Sequence, residues 1–388
     1  MPAEITLTPK GERWRRNRHP WVYRDDLQPA NDALGGQVVR VKAPAGHALG
    51  QAFYNPLSKI ALRWITDQAD EMVDRVFWAG RLEAALELRR RVVRDSNAFR
   101  LIYSEADGFP GLIVDRYGDV LVVQCLSLGM EKVLEIILDL LKEKVQPSAL
   151  VLRNDSPVRS LEGLPVEKKV LFGKLPERIE MVEGECRFLV DVMEGHKTGA
   201  YLDQRENHLW VRQHARGRVL DAFAYQGGFS LQAATRAEEV LAVEDSAGAV
   251  ERLKENLSLN KQTKVQCERG NAFERLRSLE KEQARFDLVI LDPPAFAKNR
   301  GELKDAWRGY REINLRALRI LNPGGVLVTC SCSYPVSEEI FSEILREASR
   351  DSQRTVRFLE SRTQSRDHPI LMTHPESRYL QCVALEAV

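Results

Sequence analysis

No apolar run in this 388-residue chain approaches the roughly 18 residues that a membrane-crossing helix needs. Its first residues, MPAEITLTPKGERWRRN, lack the apolar core of a signal peptide. Cysteine is scarce, six in all, and no two form a CxxC pair, which excludes a zinc ribbon and a disulfide framework. A charge excess is missing too: 57 Lys and Arg against 56 Asp and Glu leave +1, so a nucleic acid would have to be met by local charge. Internal repeats and low-complexity tracts are absent. These absences predict a cytoplasmic protein with free thiols and no membrane partner.

The chain does carry 44% hydrophobic and 29% charged residues, the balance of a well-packed globular protein. Its length predicts two or three domains. Residues 1–74 mix strand-like runs (Gln37–Val41, Ala61–Ile65) with turn signals at Gly35-Gly36, Ala45-Gly46 and Asn55-Pro56, and read as a small β-rich domain. Its entry is basic, with Lys10, Arg13, Arg15, Arg16, Arg18 and Arg24 against Glu4 and Glu12, and Trp14, Trp21 and Tyr23 interleaved. Arginine and aromatic rings together can grip phosphates and stack on bases. A solvated arm with its aromatics tucked inward fits the same pattern.

Residues 75–185 read as a central α+β domain. A helix over Arg81–Arg94 carries an arginine run, Arg89 to Arg91, that reads as a solvated face. A hairpin turns at Arg116–Asp119, an amphipathic helix covers Glu131–Val145, and a second hairpin turns at Glu183-Gly184. Across 186–388 the rhythm becomes strand, helix, strand. Val219–Phe223, Glu239–Glu244, Lys264–Glu268, Phe286–Leu291 and Val326–Cys330 are the strand-like runs. That alternation predicts a parallel sheet wrapped by helices, with ligands at the carboxyl ends of the strands.

Those strand ends hold the chemistry. The first runs from Asp221 into Gly227-Gly228, glycines that let backbone pass close to a ligand, although the spacing is not GxGxxG. The second ends at Glu244, placed to accept hydrogen bonds from a ribose diol. The third is followed by Asn271, Ala272 and Phe273, suited to an adenine edge and its ring. The fourth delivers Asp292-Pro293-Pro294-Ala295-Phe296, where two prolines lock an extended loop that could receive an exocyclic amine. The fifth runs into Thr329-Cys330-Ser331-Cys332-Ser333, where a thiolate nucleophile would be useful. Together these predict an adenosine-type cofactor site.

With these motifs in place, the C-terminal half resembles the class I S-adenosylmethionine-dependent methyltransferases, with their Rossmann-like sheet. The whole chain resembles the bacterial large-subunit (23S) ribosomal RNA cytosine-5 methyltransferases that carry an N-terminal PUA domain. GERWRRNRHPWVYRDD (Gly11–Asp26), GHKTGAYLDQR (Gly195–Arg205) and the DPPAF and SCS motifs carry the match. The implied α/β architecture is a PUA RNA-binding domain, a central α+β domain and a methyltransferase domain. The implied contacts to S-adenosylmethionine are Lys197, Thr198, Tyr201, Gln204, Arg205, Asp221, Phe223, Tyr225, Gly227, Gly228, Phe229, Glu244, Ser246, Asn271, Ala272, Phe273 and Asp292. Cys332 is the implied nucleophile with Asp292 beside it, and Arg13, Arg15, Arg16, Arg18, Trp21, Pro294 and Phe296 are the implied RNA contacts. No metal is expected. The expected partner is 23S ribosomal RNA or a large-subunit assembly intermediate, with a homodimer as a candidate assembly.

Two departures from the family pattern stand out. Asn271 replaces an Asp, and Pro294-Ala295 occupies the place where many RNA cytosine-5 methyltransferases have a second Cys. Cys330 and Cys332 point the same way in a strand, so Cys330 is separated from the nucleophile only by the SCS motif. An alternative that needs no thiol is methylation of an exocyclic amine, guanine N2 or adenine N6, by the DPPAF loop. Tyr310 and Asn314 fall on a predicted helix and suit its surface as well as a site. His368 and His374 read as structural, without metal-ligating company, the second capping a turn.

Overall fold

The computed structural model describes residues 3–29 and 34–388, which form two compact units. The first takes the chain to Met181 and regains it over Val190–Leu202 and Arg366–Ser377; the second holds Val182–Leu189, Asp203–Ser365 and Arg378–Val388. Both N-terminal sheets therefore fall in one unit, and two later segments return to it.

In the first unit, β1 (Glu4–Thr6), α1 (Pro9–Arg16), β2 (Trp21–Tyr23), β3 (Val38–Lys42), β4 (Ala48–Tyr54) and β5 (Ile60–Thr66) build a five-stranded sheet ordered β1-β3-β4-β5-β2. α1 starts where it does because the Thr8 hydroxyl accepts from Gly11 N and Pro9 occupies the first turn. β3 alternates half-buried and buried residues and seats Val39 and Val41 in a small core with Ile5, Leu7 and Leu62.

Next come α2 (Arg75–Val92), β6 (Ala98–Tyr103), β7 (Leu112–Tyr117), β8 (Val120–Cys125), α3 (Leu128–Val145), β9 (Ala149–Asn154), α4 (Val158–Leu161) and β10 (Glu167–Gly173). They form a second sheet ordered β10-β9-β8-β7-β6, in which the α3 crossover makes β8 and β9 parallel. Asp74 caps α2 and Ser127 caps α3, and both helices pack their apolar faces on a core around Trp78, Phe109 and Leu121. Arg89 corrects the solvated-face reading of α2. It is 2% exposed, forked onto Asp107 at 2.5 and 2.7 Å, and donates to the carbonyls of Arg100 and Asp367. Arg90, Arg91 and Arg94 are exposed as expected.

The hairpin β11 (Ile179–Glu183) and β12 (Cys186–Val190) carries the chain across the boundary between the units. The second unit then alternates α5 (Arg205–His214), β13 (Arg218–Asp221), α6 (Gly228–Ala234), β14 (Glu239–Glu244), α7 (Ala247–Leu259), β15 (Val265–Arg269), α8 (Ala272–Lys281), β16 (Phe286–Leu291), α9 (Leu303–Arg319), β17 (Leu321–Ser331) and α10 (Glu338–Ser352), and ends in β18 (Val356–Arg362) and β19 (Gln381–Ala387). The seven strands are ordered β15-β14-β13-β16-β17-β19-β18, parallel as far as β17, with β19 antiparallel to both neighbours. Central strands covered on both faces need near-continuous apolar runs, which Leu288–Leu291 (LVIL) supply in β16. The strand order reverses between β13 and β16, and such a switch point opens a crevice at the carboxyl ends. Asp221 ends β13 and Asp292 follows β16, so both acids stand at that point.

Candidate functional site

Glu244, the last residue of β14, is a hydrogen-bond hub. Its two oxygens accept from Tyr225 N and Ser246 N, each at 2.8 Å. Tyr225 reaches it with a φ of +48°, and Ser246 goes on to cap α7. The carboxylate thus ties the loop after β13 to the loop after β14 and keeps lone pairs for a diol. Asp221 is fully buried, accepts from Ser230 Oγ at 2.6 Å, and has one oxygen without a hydrogen-bond partner. Burial pushes its carboxyl up to about 6.

The glycines between these acids act differently from expectation. A Cβ on Gly227 (φ +94°) would stand 2.4 Å from the Leu253 side chain, and one on Gly228 would stand 2.5 Å from the His208 ring. Both positions are glycine because α5 and α7 close on the loop, whatever ligand it meets. Phe229 also departs from its expected cofactor role: it is 4% exposed and packs edge-on to His208 at 4.4 Å, inside the core. Ala272, the first residue of α8, is part of the core, while Phe223 and Phe273 are half-buried against it. Asn271 caps α8, its Oδ1 accepting from Phe273 N and Glu274 N at 3.0 and 3.3 Å. Its amide Nδ2 is what it could offer an adenine, as a donor to a ring nitrogen.

GHKTGAYLDQR divides at the unit boundary. Lys197, Thr198 and Tyr201 lie in the first unit and Gln204 and Arg205 in the second. Thr198 is fully buried and its hydroxyl is committed, donating to Asp115 Oδ2 at 2.6 Å and pairing with the Tyr117 hydroxyl at 2.9 Å. It anchors its loop and does not present a hydroxyl to a ligand. Lys197 is exposed, with its ammonium 4.6 Å from the Tyr201 ring centre. Gln204 is buried and hydrogen-bonded to Asn207 and to the Asp292 carboxylate. Arg205 is buried too.

Asp292 is the most perturbed acid of the second unit. Burial, only partly offset by His208 and Gln204, pushes its carboxyl up to about 7. Pro294, two residues on, is exposed, and Phe296 is half-buried in a row of rings, 5.8 Å from Phe273 and 4.6 Å from Tyr310. The two candidate thiols part at the end of β17. Cys330 is completely buried, paired in register with Cys382, and the hydrogen bond with that thiol together with burial drives it well above the usual thiol range. Cys332 lies just past the strand and is partly exposed.

Sequence reasoning passed over several residues here. His208 and Glu183 form a buried pair, with His208 Nδ1 2.9 Å from Glu183 Oε1. Tyr310 and Asn314, read as equally suited to a helix surface, are fully buried, and the Tyr310 hydroxyl meets Ser333 Oγ at 2.9 Å. The helical spacing of Tyr310 with Ile313 and Ala317, all buried, was the signal available for that face.

The basic entry of the chain splits into inward and outward residues. Arg15 lies 3.9 Å over the Trp64 ring and is ion-paired with Asp67, and Trp21 donates its indole N–H to Glu105 at 2.7 Å. Both are therefore committed inside the first unit and leave the expected RNA-facing set. Arg13, Arg16 and Arg18 are exposed. Beside Arg13, a surface groove of about 430 Å³ is lined by Lys10, Trp14, Asn17, Tyr23 and Asp26.

His374 is not isolated as expected. Among the described residues, His19, His374 and Glu376 bring potential ligand atoms within 4.8 Å of one another. Trp21 N donates to His19 Nδ1 at 3.1 Å, which places the ring proton on Nε2, 3.1 Å from Glu376 Oε2. The nitrogen a metal would need is thus protonated and already bonded. The turn that follows closes on the carbonyl of His374, which accepts from Ser377.

Comparison with known proteins agrees with this layout. Residues 161–372 match the S-adenosylmethionine-dependent methyltransferase family, and residues 5–67 match the PUA-like domain. Ribosomal RNA large subunit methyltransferase I of Erwinia tasmaniensis is 37% identical over the full length of both chains, and that of Yersinia pseudotuberculosis is 36% identical over 98% of each. Among solved structures, a putative methyltransferase complexed with SAH superposes with a TM-score of 0.84, covering 99% of this chain and all of the other at 18% identity. A putative SAM-dependent methyltransferase from Streptococcus mutans gives 0.82 at the same identity and coverage. These two show the fold, an α/β Rossmann-like sheet behind a PUA-like domain. No helix among the described residues is long and apolar enough to cross a membrane. The chain belongs to the S-adenosylmethionine-dependent methyltransferases and, within them, to the ribosomal RNA large subunit methyltransferase I family.

Proposed function

We propose that this enzyme methylates carbon 5 of a cytosine in large-subunit ribosomal RNA, with Cys332 as the nucleophile. The carrying observation is the contrast between the thiols: Cys330 is sealed in the sheet against Cys382, and Cys332 is partly exposed beyond the end of β17. β17 pairs directly with β16, Thr329 opposite Leu291, which puts Cys332 and Asp292 at the carboxyl ends of adjacent strands.

The residues suit the cofactor. Glu244 keeps lone pairs for the ribose diol, the Asn271 amide can donate to adenine, and the unsatisfied Asp221 oxygen asks for a donor. S-adenosylmethionine supplies an electrophilic methyl group on sulfur. Carbon 5 of cytosine is a weak nucleophile, and the protein's task is to strengthen it. The Cys332 sulfur forms a bond to carbon 6, and the ring electrons shift to make carbon 5 an enamine carbon. Asp292, held near 7, is partly protonated at neutral pH and can share its proton with ring nitrogen 3, which draws electrons the same way. After carbon 5 is methylated a water molecule takes its proton, the electron pair returns to the ring, and the carbon–sulfur bond breaks to give back the Cys332 thiolate. The base must leave its stack to be reached. Exposed Arg13, Arg16 and Arg18, with Pro294 and Phe296 at the loop, form the proposed RNA-facing set.

Nucleoside mass spectrometry of 23S RNA from a deletion strain, complemented with wild type, Cys330→Ala or Cys332→Ala, tests this reading. One 5-methylcytidine should disappear on deletion and return with wild type and Cys330→Ala only. If the lost nucleoside is a methylguanosine or methyladenosine that Cys332→Ala restores, the amine-methylating reading of the Asp292–Phe296 loop takes its place.

A further inference from the structure

Ser333 holds together two segments that the chain separates by almost forty residues. Its Oγ accepts from Phe296 N at 2.9 Å and from Ala297 N at 3.1 Å. Pro293 and Pro294 have no N–H, so these two donors lie at the far end of the proline-stiffened loop after β16. A hydroxyl has two acceptor sites, and both are used here. The Ser333 proton is therefore directed to its remaining neighbour, the Tyr310 hydroxyl, 2.9 Å away on α9. Ser331, at the end of β17, is a second hydrogen-bond partner of the Tyr310 hydroxyl. Ser333 is 3% exposed and Tyr310 is fully buried, and the Tyr310 ring lies 4.6 Å from Phe296. Burial pushes the Tyr310 phenol up to about 12, so it stays protonated and keeps its proton for this relay. Cys332 stands between the two serines that the relay connects.

We propose that Ser333 and Tyr310 are positioning residues for methyl transfer: they latch the Asp292–Phe296 loop to the strand end that carries Cys332. A backbone pair could hold the loop only if its extended geometry matched a neighbouring strand, and it does not continue β16. The serine hydroxyl stands in for the missing strand, and the tyrosine fixes the direction of that hydroxyl. This rests on the reading that Pro294 and Phe296 face the target base, and it holds whichever atom of that base is methylated. A small shift of a reacting partner can cost on the order of a hundredfold in rate.

The test is incorporation of tritiated methyl from S-adenosylmethionine into 23S RNA isolated from the deletion strain, using the full-length protein. Ser333→Ala strands the N–H groups of half-buried Phe296 and buried Ala297, Ser333→Thr keeps the hydroxyl, and Tyr310→Phe removes the relay with little change in packing. Ser333→Ala should lower kcat by about tenfold or more and leave cofactor affinity by calorimetry within about twofold. Ser333→Thr should restore kcat, and Tyr310→Phe should fall between them. If Ser333→Ala fails to fold, Tyr310→Phe decides: unchanged kcat overturns the latch. So does a loss in Ser333→Ala that the threonine variant does not rescue, or one confined to cofactor affinity. Phe296→Ala separates the two failures: if it lowers kcat and the latch variants do not, the latch alone is wrong. If Phe296→Ala leaves kcat and the RNA KM unchanged, the base-facing reading of the loop falls and the latch falls with it.

Discussion

His208 Nδ1 lies 2.9 Å from Glu183 Oε1, both side chains are buried, and the ring rests against the backbone of Gly228. Burial lowers the imidazole's proton affinity, but Glu183, Asp292 and Asp221 outweigh it and the net shift is upward. The folded value then exceeds the unfolded one, so the pair stabilises fully below about pH 6.5 and less as pH rises through the folded value. Removing one partner strands a buried charge. His208→Gln should cost about 3 kcal/mol at pH 6 and less at pH 9 in urea unfolding. An equal loss at both pH values would show that His208 is neutral throughout.

Asp292 follows the same direction with pH, but here it is the charged form that burial disfavours. Its folded value, about 7, lies above that of the unfolded chain, so ionising it costs folded-state stability from about pH 4 to pH 7. Asp292→Asn removes that cost. The variant should be more stable than wild type at pH 8, by about 2 kcal/mol in urea unfolding, and no more stable at pH 4. It should be inactive at both.

Glu244→Gln tests the hub between the two loops. Both oxygens accept backbone N–H groups, and an amide has one oxygen and one donor where two acceptors are needed. Calorimetry should show cofactor affinity reduced by about tenfold or more. An unchanged Kd would remove Glu244 from the cofactor site.

The arginines at the start of the chain should divide by exposure. Replacing Arg13, Arg16 and Arg18 together by Ala should weaken RNA binding and flatten its dependence on salt, by roughly 0.7 in log–log slope for each phosphate no longer neutralised. Arg15→Ala should instead lower the Tm, because it removes the ion pair with Asp67 and the stack on Trp64. A salt slope unchanged in the triple variant would move the RNA surface elsewhere.

Much of the fold was legible because its signals are local. The runs at Glu239–Glu244 and Phe286–Leu291 coincide with β14 and β16, and the hairpin expected to turn at Arg116–Asp119 turns at its last two residues, Gly118 and Asp119, between β7 and β8. Helix starts show in Ser127, Ser246 and Asn271, whose side chains cap within three residues. The motif residues fall at strand ends as their spacing implied, since a strand and its following loop move together along the chain.

The orientation of individual side chains was not legible. Thr198 belongs to a motif that reads as ligand-binding, yet it turns to Asp115, 83 residues earlier. Phe229 and Trp21 have the chemistry of ring-stacking residues and are consumed by the packing around them. Cys330 and Cys332 are equivalent in an extended strand, and only the end of β17 at Ser331 separates them. The sequence by itself determined the sheet, the β-rich start and the acids at the strand ends, because periodicity and motif spacing act between near neighbours. Burial, proton affinity and hydrogen-bond partners were decided only by the tertiary structure, because they depend on groups that meet from distant parts of the chain, as Ser333 meets Phe296.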